Sequence, residues 1–376
     1  MTTQSHRRLV RTDDQEALRT AVRSLLSDHS PWTAVLARTE SDSPYDTGLW
    51  RRLGDLGVTG LLIPEELGGA GGDASDLAVV AEQLGAFVAP VPFLGSAVLA
   101  TEALLAVRSE PLAAELLGQL AAADLTATLG VSATTVPGGI LSTAVQAVGG
   151  ALTGTVTPVI DLAAADVVIV LASDEGEPAL YAVSPEHPAA AVTPITPLDL
   201  TRPIGSLQLT DAPGRLIVRG HSALAEVATA LVTGAAMLAA EQVGIAQWSL
   251  DTTVAYLKDR HQFGRPIGSF QALKHRIAHV WRRTGLARAA ALGAADAMAR
   301  ESDADEIAIL VAVAASYCSE TAVFAAEEMI QLHGGIGMTW EHPAHLYLAR
   351  AKADELLFGT PDQHRARLGD LVKLSV

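Results

Sequence analysis

Apolar residues recur at helical spacing through most of the first third of the chain. Leu18, Val22, Leu25 and Leu26 mark one face of a first helix that Asp13 or Asp14 can cap. Trp50, Leu53 and Leu56 mark a second, shorter face. The run from Ala78 to Leu104 is apolar but broken by Pro90 and Pro92, which predicts two buried helices with a kink or loop between them. Near Asp124 the pattern changes. Leu125–Leu129, Val167–Leu171 and Leu180–Val183 are strand-like runs bounded by turn residues, in a segment rich in Thr and Val. From Ala223 the helical period returns, and it predicts four long helices near 223–258, 270–300, 304–333 and 342–371. The pattern therefore gives an α+β chain with a helical domain at 1–124, a β domain at 125–218 and a helical bundle at 219–376. Bundles of this kind commonly bury a further face against another subunit.

One polar interruption stands out. Leu250, Val254 and Leu257 line one helix and Phe270, Leu273, Ile277 and Val280 the next, while Gly264, Pro266 and Gly268 between them cannot continue either. This is a helix–turn–helix hairpin whose turn carries Arg260, Arg265 and Gln271. A guanidinium at such a corner is suited to gripping a phosphate in bidentate fashion.

Composition narrows the classes. The 376 residues are 49% hydrophobic and 18% charged, with a net charge of −16. Such a balance argues against nucleic acid as a partner and requires a local basic patch for any anionic ligand. No uninterrupted apolar run of membrane-spanning length occurs, and the polar stretch Met1–Asp14 lacks the apolar core of a secretory signal. Cys318 is the only cysteine, which excludes an internal disulfide, fits a reducing cytoplasm, and reads as a core position. The glycine-rich segment Gly60–Gly72 lacks the G-K-[ST] ending of a phosphate-binding loop and reads as a connection. His275 and His279, and His342 and His345, share helix faces but lack a third ligand nearby, so they read as surface or interface residues rather than a metal site.

The turn also carries a resemblance. R-x-x-F-G-x-P-I-x-x-F-Q at Arg260–Gln271, followed by Q-x-x-G-G-x-G at Gln331–Gly337 with Glu341 and Pro343 behind it, resembles the acyl-CoA dehydrogenase family. The resemblance implies that family's fold: an N-terminal helical domain, a central β-barrel-like domain and a C-terminal four-helix bundle. It also implies FAD as cofactor. In the family, these motif residues reach the diphosphate and ADP part of a neighbouring subunit's flavin. Here the matching positions are Arg260, Phe263, Gln271, Gln331, Gly334 and Gly335, all intact. The structural alternative is that Arg260 caps its helix and Gly334–Gly335 forms a bend.

Other family positions are not intact. The T-E-P-x-A-G-S-D and G-x-K-x-W-x-T-N segments that contact the flavin ring align with Thr135–Leu141 and Gly154–Asp161. There Leu141, Pro158 and Ile160 replace the Ser, Trp and Thr. The catalytic Glu of E-G-T becomes Phe358, and the alternative Glu position on the helix before the turn becomes Gly234. Neither can take the α-proton that acyl-CoA dehydrogenation removes. Glu241 reads as a charge on a solvated helix face, and Asp354 and Glu355 as reserve candidates one turn before Phe358. No catalytic residue is therefore expected.

Together these features resemble the base-less subunit of heterotetrameric, α2β2 bacterial acyl-CoA dehydrogenases. The resemblance implies a cytoplasmic chain that donates Arg and Gln contacts to FAD and pairs with a catalytic partner subunit. The substrate would be an acyl-CoA, including CoA esters of steroid side chains, with electron-transfer flavoprotein as acceptor. A flavin monooxygenase on the same fold, or a purely structural paralogue, is the alternative.

Overall fold

The protein is described by a computed structural model over residues 10–374, apart from Asp42 and Ser142. Arg7 and Arg8 of the polar N-terminal stretch lie outside those residues. The N-terminal part is helical: α1 (Asp13–His29), α2 (Trp32–Thr39), α3 (Thr47–Asp55) and α4 (Ala74–Ala86). Thr12, not Asp13 or Asp14, caps α1, because its hydroxyl accepts from Gln15 N–H while the Gln15 side chain returns to Thr12 N–H. Val22 and Leu26 are buried as the spacing requires. After α4 the chain turns at Val88–Pro92 and resumes as a π-helical stretch, Phe93–Ala100, that runs into α5 (Thr101–Leu105); α6 (Pro111–Ala121) follows.

The β part is a mixed sheet of β1 (Ala127–Gly130), β2 (Val145–Val148), β3 (Ala151–Ile160), β4 (Val167–Asp174), β5 (Glu177–Val183), β6 (Ala190–Ile195), β7 (Ile204–Pro213) and β8 (Arg215–Arg219). Its order is β6-β7-β3-β2-β4-β5-β8, with β1 and β2 both parallel to β4 and the other pairs antiparallel. Alternate residues of these strands form a separate apolar core, including Leu152, Val168, Val170, Tyr181 and Leu207.

The C-terminal part is built on three long helices, α7 (His221–Asp259), α8 (Gln271–Ala299) and α9 (Ala304–His333). Between α7 and α8 two short strands, β9 (His261–Gln262) and β10 (Arg265–Pro266), pair antiparallel and close the hairpin. By length and composition α7 and α9 could each cross a membrane, but they pack against each other, with 67% and 56% of their most apolar windows buried. The fourth predicted helix is two, α10 (Ala344–Asp354) and α11 (Pro361–Leu371). The break comes from Phe358 and Gly359, both at positive φ, and from Thr360-Pro361, which cap and begin a new helix.

Two glycines set how closely the first and last parts pack. A Cβ on Gly244 of α7 would lie 1.9 Å from the Glu82 carbonyl of α4, and one on Gly85 of α4 would lie 2.1 Å from the Glu241 carbonyl. Only glycine permits this approach. One turn from Gly244 sits a buried ionic network. Arg202, in the connection between β6 and β7, binds Glu241 of α7 at 2.6 and 2.7 Å and Asp354 of α10 at 2.5 Å. Arg350 of α10 binds Glu241 and Asp199, and donates to the Thr201 hydroxyl at 2.5 Å. Tyr45 and the Gly95 N–H add the N-terminal part, both donating to Asp161 at 2.8 Å. Charges taken this far from water hold only while paired. Glu241→Ala is therefore expected to cost about 3–5 kcal/mol in urea unfolding, because it removes the buried carboxylate that both guanidinium groups share. Arg276→Ala, which breaks the exposed Arg276–Glu328 pair, should cost about 0–1 kcal/mol.

Candidate functional site

The two sequence motifs meet at one end of the C-terminal bundle. Arg260 ends α7, Gln271 begins α8, and Gln331 lies in the last turn of α9 before Gly334. Tyr256, one turn before Arg260, stacks on His333 with ring centroids 4.4 Å apart, which ties the ends of α7 and α9 together. His342 packs on His333 at 4.3 Å, and burial together with the neighbouring His333 and His345 pushes its imidazole down to about 4. It is therefore neutral near pH 7.

At this end Arg260, Phe263, Gln271, Gln331, Gly334 and Gly335 are all exposed. Arg260 is not consumed as a structural cap. Its main chain closes the helix, N–H to Tyr256 O at 2.8 Å, while its guanidinium has no hydrogen bond or ion pair among the described residues. The side-chain amides of Gln271 and Gln331 are likewise free. A Cβ on Gly334 or Gly335 would meet nothing within 4 Å, so a ligand can approach this backbone. Phe263 stands at φ +53 and is 89% exposed, edge-on to Phe270, whose face Arg265 covers at 4.0 Å. A guanidinium, two amides and open glycine backbone suit the anionic part of a dinucleotide.

The ring-contact positions present a different surface. Ile160 is buried and Leu141 half-buried, and neither has a polar side-chain atom; the Pro158 carbonyl is already taken by Ala133 N–H at 2.8 Å. At Gly138 a Cβ would lie 2.8 Å from the Arg367 guanidinium, so this loop is packed against α11. These residues do not fit a flavin ring.

The two positions at which a base was sought turn out to be neighbours. Phe358 is 1% exposed, and a Cβ on Gly234 would lie 3.2 Å from its ring and 2.7 Å from Leu99. Phe358 keeps its left-handed backbone through an N–H bond to the Ala133 carbonyl at 2.8 Å. The phenyl ring therefore seats on the glycine and fills the space a carboxylate from either position would use.

The substitute carboxylates are also accounted for. Glu241 is not on a solvated face; it is 2% exposed and bound by two guanidinium groups. Burial opposes its charge, but Arg202 and Arg350 outweigh burial and hold its carboxyl below the usual range. Asp354 is buried too, and burial, with the Glu241 charge adding, pushes its carboxyl well above that range. Glu355 pairs with Lys352 at 3.6 Å. Cys318 is fully buried and bonds the Ala287 carbonyl. Sequence reasoning missed Arg202 and Arg350. The signal available was Arg350 and Asp354 at i, i+4 on the face of α10 that also carries Leu346 and Tyr347.

Comparison with known proteins follows the same lines. Residues 12–124 match the acyl-CoA dehydrogenase N-terminal domain and residues 224–372 the acyl-CoA dehydrogenase C-terminal domain. Acyl-CoA dehydrogenase IpdE2 of Mycolicibacterium smegmatis is 36% identical over 366 residues, 95% of this chain and 98% of that protein. The chain belongs to the acyl-CoA dehydrogenase family. Among solved structures, the ChsE4–ChsE5 complex from Mycobacterium tuberculosis matches with a TM-score of 0.85 at 27% identity, covering 98% of this chain and 100% of that one. A variant of the Tcur3481–Tcur3483 steroid ACAD matches with a TM-score of 0.82 at 29% identity, covering 96% and 98%. The family is one of FAD-dependent oxidoreductases.

The seating of Phe358 on Gly234 can be measured. Gly234→Ala should destabilise the wild type by about 1–3 kcal/mol through overpacking. In a Phe358→Ala background the same change should cost less, because the contact at 3.2 Å is gone while the one with Leu99 at 2.7 Å remains. Additive effects in that cycle would show that Leu99, not the Phe358 ring, meets the added methyl.

Proposed function

We propose that this chain is the non-catalytic subunit of a heteromeric, FAD-dependent acyl-CoA dehydrogenase, acting with a catalytic partner in the α,β-desaturation of an acyl-CoA thioester. The observation that carries the reading is the contrast between the two ends of the chain's own chemistry. Its nucleotide-gripping residues are free and exposed, whereas its base positions are an aromatic ring seated on a glycine. Bound FAD would accept the β-hydride, and the partner would supply both the carboxylate and the ring contacts. Arg260, Gln271 and Gln331 would hold the diphosphate and ADP portion from this side of the interface, with Gly334 and Gly335 giving the clearance. The chain's own residues thus bind and orient; none removes a proton.

The heteromeric complex among the structural relatives supports the partner, and the steroid ACAD among them supports a CoA ester of a steroid side chain as the substrate class. Four large apolar residues of the C-terminal part, Phe263, Trp281, Met338 and Trp340, are 69–89% exposed, which suits a surface that a partner covers. A cytoplasmic location and electron-transfer flavoprotein as acceptor complete the proposal.

The test is made in the co-expressed pair. Arg260→Ala should weaken flavin binding by about 1.5–3 kcal/mol, roughly ten- to a hundredfold, read as flavin lost on dilution and desalting. The pair should still assemble. Full flavin retention by the Arg260→Ala pair would sink the proposed role.

A further inference from the structure

Beside the Phe358–Gly234 contact, α5, α7, α9 and α11 enclose a cleft of about 540 Å³. Val232, Ile307 and Val311 contribute to apolar walls, and the volume lies within the range of small-molecule sites. Its charges are the wrong sign for a coenzyme A ester. Glu102 carries a carboxyl inside, Glu301 and Asp305 lie at the turn into α9, and among the described residues Arg367 is the only guanidinium or ammonium group lining it. That guanidinium is itself packed against the Gly138 loop. His364 also lines the cleft, but burial keeps its imidazole below its ordinary pKa, so it adds no charge near pH 7. A polyanion entering here would meet acidic residues and a single arginine.

The interior polar group is of another kind. Glu102 is largely buried within reach of the Thr233 hydroxyl, and burial, with the nearby Glu226 charge adding, raises its carboxyl above the usual range. Whether ionised or protonated, a carboxyl at this place offers oxygens that accept a hydrogen bond inside an apolar wall.

We propose that this cleft is a ligand site of its own, taking an uncharged apolar molecule that carries one hydrogen-bonding group, rather than an acyl-CoA. The inference rests on the reading of the chain as a non-catalytic subunit, in which the cleft has been released from the reaction. Apolar walls supply the affinity, Glu102 a polar anchor with Thr229 and Ser302 also in the lining, and the acidic entrance the discrimination against anions.

The experiment uses two fluorescent probes that differ by one sulfonate. N-phenyl-1-naphthylamine is neutral, and 8-anilino-1-naphthalenesulfonate is its anionic counterpart. The full-length chain, with its partner where the two purify together, is titrated with each. The neutral probe should saturate one site per chain, and the anionic probe should bind about tenfold or more weakly. Reversing the exposed entrance charges with Glu301→Lys and Asp305→Lys should recover most of that difference without weakening the neutral probe. Ala308→Trp, or Ile307→Trp as a second way to fill the cleft, should remove the neutral-probe site. Equal binding of the two probes, displacement of the neutral probe by coenzyme A, or an unchanged site in both tryptophan variants would overturn the proposal. A chain that carried its own flavin yet passed these tests would contradict the subunit reading alone.

Discussion

The arrangement of this molecule depends on two arginines buried where its parts meet. Arg202 comes from the connection between β6 and β7 and Arg350 from α10, and both close on Glu241 of α7. Three carboxylates, Asp199, Glu241 and Asp354, face these two guanidinium groups, and one Asp354 oxygen has no partner. A raised Asp354 pKa answers that excess, since a proton on this residue balances the charge. Such a network adds little to stability compared with apolar packing, but it penalises any arrangement that separates its members. It thereby fixes the sheet against α7 and α10. The same anchoring sets the loop from Glu355 to Thr360, one turn beyond Asp354, and so the seat of Phe358.

From that seat the functional asymmetry follows. The chain spends its left-handed backbone at Phe358 on a residue with no proton chemistry, and α7 supplies the glycine that makes room for it. At the other end of α7, Phe263 also adopts a left-handed backbone but projects into solvent. One strained aromatic closes the interior, and the other is presented outward beside Arg260. Under the proposed subunit role, the first closes a place where no base acts and the second faces a partner chain.

Much of this was legible in the sequence, for identifiable reasons. The long helices α7, α8 and α9 follow from apolar periodicity, and the hairpin between the first two from Gly264, Pro266 and Gly268. The clamp residues carry a spacing that only a particular turn explains. The fourth helix was misjudged because apolar periodicity continues through the break, although Gly359-Thr360-Pro361 announces it. Glu241 was misjudged for a different reason. A lone acid in a helix reads as solvated unless its counter-ions are known, and Arg202 and Arg350 lie 39 and 109 residues away along the chain. Phe358 and Gly234 were each recognisable as standing where the family resemblance places a base, but only the fold shows that the ring of one lies against the other.

The most direct measurement of the central claim is native mass spectrometry with a flavin count, made on the chain alone and on the chain co-expressed with its dehydrogenase partner. The account predicts a colourless chain alone and, in the pair, one flavin for each copy of this chain and its partner together. A chain that alone retains one flavin per copy would contradict it, and would return the ring-contact loops at Thr135–Leu141 and Gly154–Asp161 to the status of a working site.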